Sequence, residues 1–328
     1  MPGITGQGTT YNMPNYVGEL FAASPEDTPL LSSIGGLTGG TSVGSTLFEW
    51  QGYDLRDAED ARQRLEGAAA PAGESRTRYN ASNVLEIHQE SVEISYTKQG
   101  ATRQRDTKSM PVVQIGATSV PADELAWQLQ QQFKQISRDV EKTFITGTYQ
   151  NPTDNTKPRK TRGLLEAIAT NKTTTSKTAA TLDADTILDL FQKVWENGGI
   201  QESETRTVIV NAALKRALTR IFIKDANYQE STRSVGGVSL QTFETDFGRA
   251  NIMLDRYMPA DKLAVVSLEE LSPAFLEIPN KGHFFAEPLA KTGASDKVQI
   301  YGEIGLMYGN ERKHGVLTVS ATVAASEK

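Results

Sequence analysis

The chain has 328 residues, of which 38% are hydrophobic and 23% charged, which is enough apolar material for one large core or two modest ones and excludes intrinsic disorder. Its formal charge of −6 excludes a basic protein that coats polyanions, and the absence of cysteine excludes disulfides and thiolate zinc sites. No apolar run reaches the roughly 20 residues of a membrane span, and the first 25 residues have no secretory signal pattern.

Residues 1–45 contain nine glycines and no lysine or arginine. Short apolar pairs such as Leu20-Phe21 and Leu30-Leu31 stand between prolines and the pair Gly35-Gly36. Such a segment has no periodic face to bury within one compact core. We therefore predict an extended N-terminal arm that lies on another surface; the alternative is a disordered tail.

Residues 46–53 and 84–97 are predicted to be two strands, the second with a change of alternation near Glu90-Ser91 that would require a bulge or a bend. The connection between them is charged and nearly free of core residues, which is rare inside a compact domain. We predict a long hairpin, with a flexible surface loop as the alternative. Its candidates for contacts between subunits are Arg56, Asp57, Glu59, Asp60, Arg62, Arg64, Arg76 and Arg78.

Residues 121–146 are predicted to form a long amphipathic helix. Pro121 suits its first turn, Gly147 can end it, and one apolar stripe recurs at the helical period: Leu125, Leu129, Phe133, Ile136, Val140 and Phe144. Residues 150–180 are rich in turns and basic, which indicates either a solvated loop or a contact with a polyanion or an acidic neighbour. The candidates for such an interior or neighbour contact are Lys157, Arg159, Lys160 and Arg162.

From residue 181 the pattern is that of a compact α/β domain. Asp183 and Asn211 are predicted N-caps of two helices, and strands are predicted at Thr205–Val210 and Leu263–Leu268 among others. A long half-buried strand is predicted over Val298–Tyr308, broken at Gly302 and Gly305. A closing strand is predicted at Val316–Val323.

Motifs for chemistry are weak throughout the chain. Gly40–Gly44 matches the G-x-S-x-G nucleophile pattern with Ser42 as the serine, but that motif needs a strand before it and a helix after it, and neither is predicted. The nearby glycine-rich segment lacks the lysine of a phosphate loop. His88, His283 and His314 have no metal-ligand spacing, and His88 is predicted to lie on the surface. We predict no catalytic residue, no cofactor and no metal, so not an enzyme.

The order of these parts resembles the major capsid protein of tailed bacteriophages, the Johnson fold. The segment PNYVGELF…SPEDTPLLSSIGG, residues 14–36, is similar to the arm of the actinobacteriophage branch. The resemblance implies an α+β fold with an N-terminal arm, an extended β-hairpin loop, a peripheral domain built on a long spine helix, and an α/β axial domain. By region, it implies an arm at 1–45, an extension loop at 46–100, a peripheral domain at 101–180 with the spine helix at 121–146, an axial domain at 181–280, and return strands to the peripheral domain at 281–328.

The resemblance also implies a function and partners. The chain would self-assemble into pentamers and hexamers of an icosahedral shell that encloses double-stranded phage DNA without reading its sequence. It would be part of the virion and assemble in the host cytoplasm, away from any membrane. The chain begins directly at the arm, so we expect any scaffold to be a separate protein; portal and decoration proteins are further expected partners.

Some relatives of this fold join a lysine near the tip of the extension loop to an asparagine of a neighbouring subunit. The first lysine here is Lys98, and residues 54–78 offer only arginines, which are poor nucleophiles. We therefore predict a shell without this covalent bond. The alternatives to a phage shell are an encapsulin-like nanocompartment shell, a phage tail or head-completion protein, and a hydrolase that uses Ser42.

Overall fold

The computed structural model describes residues 26–53, 55–56, 58–98, 113–115, 118–120, 124–201, 204–225, 241–291 and 293–320. For residues 61, 113–115, 118–120 and 223–225 it describes the backbone alone. Residues 1–25 of the predicted arm, Asp57 and Pro121 lie outside the described residues.

The described residues form an α+β fold. Its helices are α1 (Pro29–Ser33), α2 (Glu124–Thr146), α3 (Leu164–Ala167), α4 (Ala184–Glu196) and α5 (Ala212–Thr219). Short 3-10 turns lie at Asp60–Arg62, Leu268–Glu270 and Glu311–Lys313, and a π-helical turn lies at Arg220–Asp225. The strands are β1 (Thr41–Val43), β2 (Leu47–Tyr53), β3 (Arg78–Val84), β4 (Glu86–Ser95), β5 (Val113–Ile115), β6 (Thr118–Val120), β7 (Lys172–Thr174), β8 (Arg206–Val210), β9 (Thr242–Thr245), β10 (Gly248–Leu254), β11 (Lys262–Ser267), β12 (Ser272–Leu276), β13 (Phe284–Pro288), β14 (Ser295–Met307) and β15 (Gly315–Thr318).

The predicted helix at 121–146 is present as α2, here called the spine helix. Its 23 residues give a length of about 34 Å. Leu129, Ile136, Val140 and Phe144 of the predicted stripe are buried, and Leu125 and Phe133 are partly buried against the same core. This first core also contains apolar residues of β4 and β14, because the spine helix lies across the sheet that these strands form.

That sheet has five strands in the order β1-β12-β14-β13, with β4 also paired to β14. β4 runs antiparallel to β14 without a break, from the pair Ser95–Ser295 to the pair Glu86–Ile304. The predicted bulge near Glu90-Ser91 is therefore wrong. The inward positions of β4 keep one phase, with Val92 and Ile94 buried, and Ile87 points outward with 46% of its surface exposed. β14 is also continuous, so the predicted breaks at Gly302 and Gly305 are wrong.

The second sheet has six strands in the order β7-β15-β11-β8-β10-β9. Both of its faces are covered, so alternate residues of one strand enter different cores: Ile209 of β8 enters the first core, whereas Val208 and Val210 enter a second core under α4 and α5. This burial explains why the strand reads as a continuous apolar run. Asp183 and Asn211 cap α4 and α5 as predicted, each accepting a hydrogen bond from the backbone three residues ahead.

Sheet membership does not follow the predicted domain boundaries. β7 and β15 lie outside 181–280 but belong to the six-stranded sheet, whereas β12 lies inside that range and belongs to the five-stranded sheet. β13 and β14, within the range 281–328, belong to the five-stranded sheet. The chain therefore crosses between the two sheets more often than the sequence pattern indicated.

The pair Leu30-Leu31 also departs from the prediction for the arm. Both side chains are fully buried in α1, within the first core of the same chain. This part of the predicted arm needs no other molecule to bury its apolar groups. The reason is that a single helical turn points both leucines at the spine helix, a contact that single-sequence periodicity cannot detect.

Candidate assembly surface

The predicted hairpin is present, with a different partner strand. β2 pairs with β3, from Leu47–Val84 to Tyr53–Arg78, whereas β4 belongs to the body of the protein. Residues 54–77 connect the two strands and, together with β2 and β3, are called the extension loop below.

The base of the extension loop is fixed by a buried asparagine. Asn83 of β3 donates from Nδ2 to the carbonyl oxygens of Leu306 (2.7 Å) and Arg162 (3.1 Å). Its Oδ1 accepts hydrogen bonds from the backbone nitrogens of Arg162 (2.8 Å) and Val84 (2.9 Å). One side chain therefore joins the hairpin to β14 and to the segment that precedes α3.

Aromatic packing adds to this anchor. Trp50 of β2 donates from Nε1 to the carbonyl oxygen of Gly309 at 2.8 Å, and its ring stands edge-on to Tyr308 with centroids 4.8 Å apart. Phe48 stacks on Trp50, and the two pack with Leu85 in a small third core. A side chain at Gly305 would lie 2.9 Å from the Phe48 ring, so glycine permits this close approach.

The tip of the extension loop is held by ion pairs among its own residues. Glu74 contacts Arg56 (3.6 Å), Arg76 (3.1 Å) and Arg62, and Glu59 contacts Arg56 (3.6 Å) and Arg62 (3.0 Å). The hydrogen bond from Arg62 is the main reason that the pKa of Glu74 lies below its usual value. These charges therefore bridge the two legs of the loop, a pattern that the sequence prediction missed.

The other residues predicted to make contacts between subunits do not take part in these ion pairs at the tip. Arg78 donates to Gln51 across the hairpin at 3.3 Å, and Asp60 and Arg64 are exposed. Asp57 lies outside the described residues. The tip also presents apolar groups to solvent, with Leu55 75% and Leu65 86% exposed.

The basic side chains predicted to make contacts in the segment 150–180 fall into two groups, those that contact the subunit itself and those that are exposed. Arg159 pairs with Glu303 at 2.8 Å, and Arg162 donates to Tyr308 Oη at 3.1 Å and lies over the ring of Tyr149. Both arginines therefore serve the subunit's own packing. Lys157 and Lys160 are exposed.

The structure brings Ser42 and His283 together, which the sequence did not predict. Ser42 Oγ lies 2.7 Å from His283 Nε2, and the His283 ring stacks on Phe275. β1 is followed by a bend and by β2, where the nucleophile motif requires a helix. No carboxylate among the described residues hydrogen-bonds His283, so this pair lacks the third member of a catalytic triad.

Of the other two histidines, His314 is buried and His88 is partly buried. The side chain of His88 is 11% exposed, so the predicted surface position is wrong, and burial lowers its pKa. His314 is fully buried between the Ser267 nitrogen and the Tyr308 carbonyl oxygen, and burial likewise lowers its pKa. In the part of the chain that the structure describes, no group of three metal-ligating side chains occurs and no helix is long and apolar enough to cross a membrane.

A pair of buried acids is a further feature that sequence reasoning missed. Glu141 of the spine helix is fully buried, accepts hydrogen bonds from the backbone nitrogens of Leu30 (2.8 Å) and Leu31 (2.6 Å), and contacts the side chain of Asp255, which is 1% exposed. The available signal was Glu141 itself, because it follows directly after Val140 of the buried stripe.

Comparison with known structures defines the class of fold. The chain resembles the capsid of cyanophage A-1(L), with a TM-score of 0.64, 12% identity and coverage of 96% of this chain and 98% of that one. It also resembles the SrpI encapsulin of Synechococcus elongatus, with a TM-score of 0.55, 12% identity and coverage of 97% and 96%. The fold is therefore that of tailed-phage capsid proteins, which encapsulin shells share.

Sequence comparison places the chain within this class. A curated major capsid protein, from Escherichia phage Phieco32, is 23% identical over an alignment of 361 residues that covers 92% of this chain and 93% of that protein. The model of the SU10 major capsid protein family matches residues 3–321. The chain belongs to the SU10 major capsid protein family, and its function is that of a structural phage shell protein, as predicted. This assignment favours a phage shell over the encapsulin alternative.

Proposed function

We propose that this chain forms the pentamers and hexamers of an icosahedral phage head through non-covalent contacts made by the extension loop. The shell would enclose double-stranded DNA and assemble in the host cytoplasm. The proposed regions are the arm at 1–45, the extension loop from β2 to β3, the peripheral domain at 101–180, the axial domain at 181–280 and the return strands at 281–328. A separate scaffold, a portal and decoration proteins are proposed partners.

The contrast between the two ends of the extension loop supports this proposal. At the base, Asn83 and Trp50 fix the hairpin to the body through buried hydrogen bonds. At the tip, the apolar side chains of Leu55 and Leu65 are exposed to solvent, and the charged groups of the tip form ion pairs that are themselves solvent-exposed. A rigid base that carries an exposed apolar tip suits a contact that is completed only by a neighbouring subunit.

The charge distribution supports non-specific contact with DNA. The net charge of −6 disfavours nucleic-acid coating of the free subunit. Arg159 and Arg162 make contacts within the subunit, whereas Lys157 and Lys160 are exposed. These two lysines are therefore the proposed phosphate contacts in this segment. Phosphate contacts made by such lysines would depend on salt and not on DNA sequence.

The test is the double substitution Leu55→Asp and Leu65→Asp, with Leu55→Met and Leu65→Met as the matched control. Both leucines are exposed, so both double variants should fold, as measured by circular dichroism. We expect shells from the wild-type chain and the methionine control in negative-stain microscopy, and only small species from the aspartate variant in sedimentation. Normal shells from the aspartate variant would refute the role of the loop tip.

A further inference from the structure

The segment Glu26–Gly36, here called the strap, is held against two different parts of the protein. Glu26 pairs with Lys134 of the spine helix at 2.7 Å, and Asp27 pairs with Arg256, in the loop after β10, at 3.3 Å. These two ion pairs are exposed to solvent, so they contribute little to holding the strap in place. The buried part of the attachment is Leu30 and Leu31, together with the Glu141 carboxyl that accepts both of their N–H groups.

Glu141 supplies a cap that the strap itself lacks. The first N–H groups of a helix have no intrahelical partner, and the N-cap residue Thr28 makes no capping hydrogen bond with its side chain. The backbone nitrogens of Leu30 and Leu31 are two of these groups, and both are buried. Without the Glu141 carboxyl they would be left unpaired inside the protein, which is costly.

Asp255 makes a fully ionised Glu141 unfavourable. One of its oxygens, Oδ1, accepts from the backbone nitrogen of Tyr257 at 2.7 Å. The other, Oδ2, is buried and finds no N–H or O–H donor among the described residues, although the Glu141 carboxyl contacts the same side chain. Two carboxylates cannot donate to each other, so a hydrogen bond between these groups requires a proton on one of them.

We propose that Glu141 and Asp255 share one proton, and that loss of this proton weakens the docking of the strap on the spine helix and on the loop at 255–258. When the proton is present, the orphaned Oδ2 has a partner and the two acids carry one negative charge. When it leaves, two negative charges face each other in a buried site, and opening of the strap allows water to separate them. The strap thus links the spine helix to the six-stranded sheet in a pH-dependent manner.

The electrostatics agree in direction with this geometry. Burial, followed by the hydrogen bond and the charge of Asp255, raises the pKa of Glu141 from 4.5 to about 8, against the two backbone N–H groups that lower it. The docked state therefore holds a proton that the open state releases above about pH 4.5. The stabilisation by this proton is complete below about pH 4.5 and is lost as the pH rises to about 8.

The neighbouring charged groups are engaged elsewhere. On the spine helix, Arg138 donates to Tyr257 Oη at 2.9 Å and to Gln135 at 3.1 Å, and Lys134 is paired with Glu26. On the loop after β10, Arg256 is paired with Asp27. The strap contributes only the acids Glu26 and Asp27, which are exposed. These pairs lie at the surface and do not take the place of the proton between the two buried carboxyl groups.

Hydrogen exchange of the full chain, followed by mass spectrometry, tests the proposal. The peptide that contains the Leu30 and Leu31 amides should lose protection by about tenfold per pH unit between pH 6 and pH 8, after correction for intrinsic exchange. Peptides from β14 should keep their protection over the same range and serve as the internal control.

The matched variant is Asp255→Asn, which places an amide donor at the position of Oδ2 and removes the need for the shared proton. We expect its strap to be protected equally at pH 6 and pH 8. Glu141→Gln also removes the charge, keeps an acceptor for one of the two amides, and should likewise abolish the pH dependence. Equal protection of the wild-type strap at both pH values would overturn the proposal, as would an unchanged pH-dependent loss in either variant that folds.

Discussion

Asn83→Ala is expected to destabilise the subunit by detaching the extension loop from its body. The substitution removes the partner of the Leu306 and Arg162 carbonyl oxygens and of the Arg162 and Val84 N–H groups. A buried backbone group left without a partner costs about 1–3 kcal/mol. Four such groups give a loss of at least about 4 kcal/mol, which is a large fraction of the stability of a typical domain.

The assay is urea unfolding of unassembled subunits, followed by circular dichroism and by tryptophan fluorescence, because Trp50 packs at the same base. We expect the midpoint to fall by about 1 M urea or more. Asn80→Ala is the matched control, since Asn80 is on the same strand but exposed, and should change stability by less than about 0.5 kcal/mol. Equal midpoints for the two variants would show that Asn83 does not anchor the loop.

Two other predictions concern the spine helix and the covalent state of the shell. Ile136→Ala truncates a side chain that is 1% exposed and should lower the free energy of unfolding by about 2–5 kcal/mol, as measured by thermal unfolding. Lys142→Ala, on the exposed side of the same helix, should leave the stability nearly unchanged. Similar melting temperatures for the two variants would contradict the assigned helix face. Assembled particles boiled in detergent should run as a single band near 35.8 kDa, because the loop tip has no lysine. A ladder of multiples would instead indicate a crosslink from a lysine elsewhere, such as Lys157 or Lys160.

The sequence predicted the elements whose apolar residues recur at a regular spacing or whose ends carry clear capping residues. The stripe from Leu125 to Phe144 predicted the spine helix, and Asp183 and Asn211 located the starts of α4 and α5. It failed where a strand carries polar side chains inward. On β4, Glu86 and His88 occupy inward positions that a pattern of apolar residues assigns to the surface, so the pattern predicts a bulge or a bend where the pairing of the strand is regular.

The contacts of the candidate assembly surface were less predictable than its existence. A charged, core-free connection was enough to predict the extension loop. However, the ion pairs of Glu74 with Arg62 and Arg76 depend on how the two legs of the loop approach each other, which no local pattern encodes. The pairing of Glu141 with Leu30 and Leu31 joins residues about 110 positions apart, so it was equally inaccessible to reasoning from one sequence.

Acidic side chains illustrate how one residue type serves two opposite purposes in this fold. Glu74 lies at the exposed loop tip, where arginines and water stabilise its ionised form and lower its pKa. Glu141 is fully buried on the spine helix, where burial and Asp255 disfavour the ionised form and raise its pKa. The first arrangement leaves the tip charged over the whole range in which the second one titrates. A rise in pH through that range therefore acts on the inside of the subunit, at the strap, while the ion pairs of the extension loop keep their charge.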